Sequence, residues 1–162
     1  DHAGSYEVVM HALNFYEEQG VKFERLLLLQ PTSPFRNIED YNNIKELYTS
    51  VCDMVVSVSI SKNNPYFNLF EEKNDGFLKK SKESDIVRRQ DCPEVYAFNG
   101  SFYLINVNSL KRTNLHGFTK IIKSVMPEES SIVIDNRRDW KIAEYFLEEK
   151  KNLEKNFSNK KI

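Results

Sequence analysis

Hydrophobic and polar positions change period several times along this chain, and each change marks an element. Across residues 4–19, "GSYEVVMHALNFYEEQ", apolar side chains fall at Val8, Val9, Ala12, Leu13 and Tyr16. That spacing is helical, and Gly20 closes the segment. Leu26 to Leu29 form an unbroken apolar run, the pattern of a strand buried on both faces. Residues 37–48, "NIEDYNNIKELY", return to helical spacing, with Ile38, Tyr41, Ile44, Leu47 and Tyr48 on one face. Residues 54–60, "MVVSVSI", alternate Val with Ser and predict a second strand.

From residue 61 to about residue 100 the texture is polar and charged. Within it "NLFEEKNDGFLKK" predicts a hairpin turning at Asn74-Asp75-Gly76. This segment reads as an arm inserted into the core. The core pattern resumes in residues 101–106, "SFYLIN", and "SIVI", residues 131–134, predicts a last short strand. Residues 138–153 predict a long helix with Trp140, Ile142, Ala143, Phe146 and Leu147 inward. The tail "EKNFSNKKI" is expected to be loose. Strands alternating with helices indicate an α/β domain with a mainly parallel sheet, one domain over residues 1–162. Sheets of this kind bind ligands beyond the carboxyl ends of their strands.

Composition narrows the function. The 162 residues carry 23 basic and 24 acidic side chains, a net charge of −1, so there is no broad basic surface for nucleic acid. No apolar run approaches the roughly 20 residues of a membrane helix, and no signal peptide is visible. Two cysteines, Cys52 and Cys92, stand outside any CxxC or Cys/His cluster. They suit a reducing compartment, and the expected location is cytoplasmic. The chain opens with "DHAGSYEVVM", without Met and already in helical pattern. The beginning of the natural domain is therefore expected to lie outside it.

Three stretches carry chemistry. "RLLLLQPTSPFR" ends an apolar strand in Gln30, Thr32, Ser33 and Arg36, between Pro31 and Pro34. These groups can hydrogen-bond a polyhydroxylated or phosphorylated ligand. The alternative is a plain turn in which Thr32 or Ser33 caps the next helix. "RRQDCPEVYAFNG" holds Arg88, Arg89 and Asn99. Paired arginines can clamp a carboxylate or phosphate, or form a solvated charge pair, and "FNG" is by default a turn. "SIVIDNRRDW" places Asp135 at a strand exit and Asp139 four residues on. Such an Asp can hold Mg²⁺. The local alternative is that Asn136 caps the last helix and Asp139 sits in its first turn. His2, His11 and His116 share no metal-ligand spacing.

In order, "LLLLQPTSPFR", "DMVVSVSISKNNPYF", "RRQDCPEVYAFNGSFYLIN" and "SIVIDNRRDWKIAE" resemble the acylneuraminate cytidylyltransferases. These are the CMP-sialic acid synthetases and relatives that act on similar nine-carbon acids. The resemblance covers about Asp1 to Glu149. It implies a three-layer nucleotide-binding sheet of the nucleotide-diphospho-sugar transferase kind. It also implies a reaction of CTP with a 2-keto sugar acid, giving CMP-sugar and pyrophosphate with Mg²⁺. The 61–100 arm would reach a second subunit and make a homodimer. Gln30 then matches a sugar-contacting glutamine, and Thr32 and Ser33 its neighbouring loop. Arg89 matches the arginine offered to the partner's sugar carboxylate, Asn99 and Tyr103 line the sugar pocket, and Asp135 is one of two metal-binding aspartates.

Three departures stand out. Nothing matches the family's basic, glycine-containing loop that holds the CTP phosphates, so the 162 residues alone are expected to be inactive. Val133 stands where the metal motif commonly has Asp, and Phe67 where the arm commonly has Lys. A modified relative such as legionaminic or pseudaminic acid is therefore as open as sialic acid. The alternatives are an enzyme of the same fold using another nucleotide or sugar, or a non-catalytic dimeric binding module.

Overall fold

The computed structural model describes residues 4–158. Helix α1 (Ser5–Glu18) ends at Gly20, whose φ of +82° lets the chain reverse while the Val21 N–H bonds the Tyr16 carbonyl at 3.1 Å. Strand β1 (Arg25–Leu28) leads to α2 (Ile38–Leu47), which Asn37 and Asp40 close at its start in a reciprocal capping box. Strand β2 (Met54–Ile60) follows, and then the hairpin of β3 (Phe70–Glu72) and β4 (Leu78–Lys80). The hairpin turns at Asp75 and Gly76, as its sequence predicts. The long β5 (Tyr96–Asn106) returns to the core. It is followed by α3 (Val107–Arg112), β6 (Ile121–Val125) and α4 (Arg137–Ser158).

The four core strands lie in the order β1-β5-β2-β6. β5 runs antiparallel to both β1 and β2, while β2 and β6 are parallel. The sheet is therefore mixed, which corrects the mainly parallel expectation. β1, β2 and β6 share one direction, and the antiparallel β5 is inserted between the first two of them.

Each face of the sheet carries its own core. Val9 of α1 packs with Met54, Val56, Val58, Ile105, Leu110 and Phe118 on one face. Ile44 of α2 packs with Cys52, Val55, Phe102, Leu104 and Met126 on the other. Alternation along β2 and β5 feeds both clusters, as a period of two requires.

Several expectations fail for physical reasons. The leucine run is not buried on both faces: β1 lies at a sheet edge, and Leu27 and Leu29 are exposed. "SIVI" is not a strand; its first residue ends a 3-10 turn at Glu129–Ser131, and no described strand pairs with it. The last core strand is instead β6, which the mixed sequence "IIKSV" concealed. "FNG" is not a turn before a strand but lies inside β5, so residues 96–100 belong to the core sheet rather than to the arm. On α4 the supposedly inward Trp140, Ile142 and Leu147 are exposed, Phe146 is half-buried, and only Ala143 is buried, at 7% exposure. The tail expected to be loose continues α4 through Ser158, and residues 159–162 lie outside the described part.

Candidate functional site

The site grows from one irregularity in β5. Gly100 has φ +72°, and beside it the β2–β5 register shifts between Val56 and Val58. This is a β-bulge that uses the conformational freedom of glycine. Three successive carbonyls then serve one loop. The Asn99 carbonyl accepts from Ser33 Oγ at 3.0 Å. The Gly100 carbonyl accepts from the Gln30 N–H at 3.3 Å. The Ser101 carbonyl accepts from Arg36 Nη1 at 2.9 Å. Carbonyls of a regular strand alternate sides, so an unbroken β5 would not offer all three to one loop.

Arg36 staples the loop. Its other terminal nitrogen donates to the Gln30 carbonyl, and its guanidinium lies 5.9 Å from the Phe102 ring centre. Burial lowers its pKa from the ordinary arginine value. Ser33 is fully buried beneath the loop. The flanking prolines restrict the backbone without costing ladder hydrogen bonds, because the strand has already ended.

Asn99 is 3% exposed, and its whole amide is engaged within the fold. Its Oδ1 accepts from Ser57 Oγ at 2.6 Å and from the Ser101 N–H at 3.2 Å. Its Nδ2 donates to Ser131 Oγ at 2.9 Å and approaches Met126 Sδ at 3.4 Å. Ser57 and Ser131 were not singled out from sequence. The signal was present in "MVVSVSI", where a serine at every second position puts a hydroxyl on one buried face.

The segment that follows Ser131 docks on the loop: the Ile134 N–H donates to the Thr32 carbonyl at 2.8 Å. Asp135 therefore leaves the core beside Thr32. Asn136 Oδ1 then caps α4 through the N–H groups of Arg138 (2.8 Å) and Asp139 (3.2 Å). Asp139 Oδ2 accepts in return from the N–H groups of Asp135 (3.0 Å) and Asn136 (3.1 Å). One oxygen of Asp139 is thus occupied by a capping box.

The candidates now separate by what holds them. Among the described residues, the side chains of Gln30, Thr32 and Asp135 make no hydrogen bond, and Asp135 is exposed. Ser33, Arg36 and Asn99 are committed inward. Tyr103 lies on the opposite sheet face from Asn99, in a cleft of about 480 Å³ with Phe98, Met54, Leu115 and His116. Its ring meets Phe98 edge-on at 6.1 Å, and burial raises its phenol pKa, so it is a neutral hydroxyl at ordinary pH. Arg89 is exposed and donates to the Lys62 carbonyl at 2.9 Å, where the arm leaves β2. Its neighbour Arg88 pairs with Asp91 at 2.8 Å, the solvated charge pair. Near Lys62, a second cleft of about 720 Å³ opens between the ends of β2 and β6. Lys62 and Glu128, both on its wall, form an exposed ion pair.

Fold and site define an α/β protein with a polar site gathered at the carboxyl ends of its co-directional strands. No protein-family model matches the chain. Individual relatives do. It is 29% identical over 162 residues to "Post-translational flagellin modification protein B" of Campylobacter coli, across 97% of this chain and 67% of that protein. It is 30% identical over 158 residues to N-acylneuraminate cytidylyltransferase of Escherichia coli, across 96% of this chain and 36% of that protein. CMP-N,N'-diacetyllegionaminic acid synthase of Legionella pneumophila is 28% identical over 142 residues, 86% of this chain and 61% of that protein. Over most of its length the chain is similar to N-acylneuraminate cytidylyltransferases and to CMP-N,N'-diacetyllegionaminic acid synthase. It spans between about a third and two thirds of the length of these relatives.

Proposed function

We propose that this chain is part of a cytidylyltransferase that activates a nine-carbon 2-keto sugar acid with CTP. In that reaction the anomeric hydroxyl of the sugar bonds to the α-phosphorus. The bond from that phosphorus to the bridging oxygen breaks, pyrophosphate leaves and the hydroxyl proton is released. The observation that carries the reading is the bond from the Ile134 N–H to the Thr32 carbonyl, which brings Asp135 beside a loop where the side chains of Gln30, Thr32 and Asp135 make no hydrogen bond among the described residues. Gln30 and Thr32 supply an amide and a hydroxyl suited to sugar hydroxyls. Tyr103 lines the cleft on the other face, where an apolar substituent of the sugar would be covered.

The donors fit Mg²⁺. Among the described residues the Asp135 carboxylate accepts no hydrogen bond and Asp139 keeps one oxygen free. Mg²⁺ is commonly held by one or two carboxylates, with waters and ligand phosphates completing its shell. Among the described residues, no group of three or more His, Cys, Asp or Glu could hold a metal, so ligand oxygens would have to complete it. Bound there, the ion supplies charge neutralisation at the phosphates. The arm over residues 61–95 would form a homodimer and carry Arg89 to the partner's sugar carboxylate, exchanging its bond to the Lys62 carbonyl.

Pyrophosphate release by the natural gene product, with CTP, Mg²⁺ and a panel of nine-carbon acids, tests this. The 162-residue chain, which has no basic glycine-containing phosphate loop, is run beside it and is expected to be silent. Preference for legionaminic over sialic acid would agree with the replacement at Phe67. Preference for UTP or GTP would favour another nucleotide, and silence of the gene product with every acid would favour a binding module.

A further inference from the structure

The β-bulge leaves a backbone donor to be satisfied, and the group that satisfies it leads to the site. Ser57 sits at the register shift, fully buried. The Phe102 N–H donates to Ser57 Oγ at 2.8 Å, so a side chain replaces the ladder partner. Having accepted there, Ser57 gives its proton to Asn99 Oδ1, 2.6 Å away. The Ser101 N–H can only donate, which fixes Oδ1 on that side and turns Nδ2 towards Ser131. Ser131 Oγ passes its own proton to the Pro127 carbonyl at 2.7 Å. The shortest hydrogen bonds run in one direction, from Phe102 through Ser57, Asn99 and Ser131 to Pro127, and the Phe102 carbonyl is a second, longer acceptor for Ser57 Oγ at 3.2 Å. Chains of this kind strengthen one another in a low-dielectric interior.

We propose that Ser57 is a positioning residue for Asp135. Through the Asn99 amide and the Ser131 hydroxyl it sets where the 131–135 segment crosses the Thr32 loop, and hence where the Asp135 carboxylate stands. The effect on activity rests on the role proposed for Asp135 above; the structural coupling does not.

The experiment has two arms. The first follows backbone amide exchange in the 162-residue chain and its Ser57→Ala variant. The Ile134 N–H, bonded to the Thr32 carbonyl, is expected to lose protection about tenfold, while amides of α3 are unchanged. Equal loss throughout the sheet, or none at Ile134, overturns the proposal. The second uses the natural gene product. Ser57→Ala is expected to lower kcat about tenfold and raise the Mg²⁺ needed for half-activity, with KM for the sugar acid within about twofold. Ser57→Thr, which keeps the hydroxyl, should recover most of the loss. Leu110→Val, in the core on α3, serves as a control for lost stability. An equal kcat loss in that variant at a matched drop in Tm overturns the positioning role. If the wild-type gene product makes no CMP-sugar, the proposed function fails, while the exchange arm still decides the coupling.

Discussion

Two aspartates at opposite ends of the sheet show how one residue type serves two purposes. Asp53 precedes β2 and is 8% exposed. Its carboxylate accepts from Ser109 Oγ at 2.7 Å and from the N–H groups of Thr119 (3.1 Å) and Lys120 (2.9 Å), with Arg112 at 3.6 Å. These donors, led by Ser109, hold its pKa below the ordinary carboxylate value. It ties α3 and the entry to β6 onto the sheet. Asp135 stands at the other end, exposed and with no donor on its carboxylate among the described residues. A satisfied carboxylate is spent on the fold, whereas an unsatisfied one beside a loop of free polar groups can be used by a ligand.

The comparison can be broken at its support. Gly100→Ala should cost most, about 4 kcal/mol. It combines left-handed backbone strain with a methyl 2.5 Å from Gln30 Oε1 and 3.1 Å from Ser33 Oγ. Urea unfolding reads the loss, and a change under 1 kcal/mol would mean the loop moves aside freely. Asp53→Ala should cost about 3 kcal/mol by leaving without a partner the donors that its buried carboxylate satisfies, against almost nothing for Asp135→Ala. Equal costs would end the contrast between the two residues.

Acid sharpens it further. The folded-state pKa of Asp53 is depressed, so its stabilisation is complete above the unfolded carboxylate pKa and is lost as pH falls through the folded value. Acid midpoints of wild type and Asp53→Asn should therefore differ, the variant giving a flatter loss of stability below the ordinary carboxylate range. In activity the order inverts. Asp135→Asn should lower kcat of the natural gene product about a hundredfold with Tm unchanged, an effect of about 2.7 kcal/mol. The smallest effect is expected at Ser101, whose buried hydroxyl lacks a partner among the described residues. Ser101→Ala should be neutral or stabilise by up to about 1 kcal/mol, and a loss above that would mean the hydroxyl has a partner in solution.

Local pattern was enough for α1, α2, β2 and the β3–β4 hairpin, because their periods and caps are complete within a few residues. The QPTSPFR loop and Asp135 could likewise be picked out by residue type and by their place after apolar runs. What pattern could not supply was long-range pairing. β1 reads as buried because its leucines are continuous, yet an edge position is decided by which strands pair. "SIVI" and "IIKSV" are equally short and apolar, and only pairing with β2 makes the second a strand. Arg36 and Asn99 look like ligand groups in sequence. Their bonds within the fold arise because a left-handed glycine 64 residues from Arg36 brings three carbonyls to one loop. Periodicity, caps and turns act over single turns and pleats, so the chain itself determines them. Burial, strand order and the division of polar groups between fold and site depend on contacts between distant segments, and these exist only once the sheet has formed.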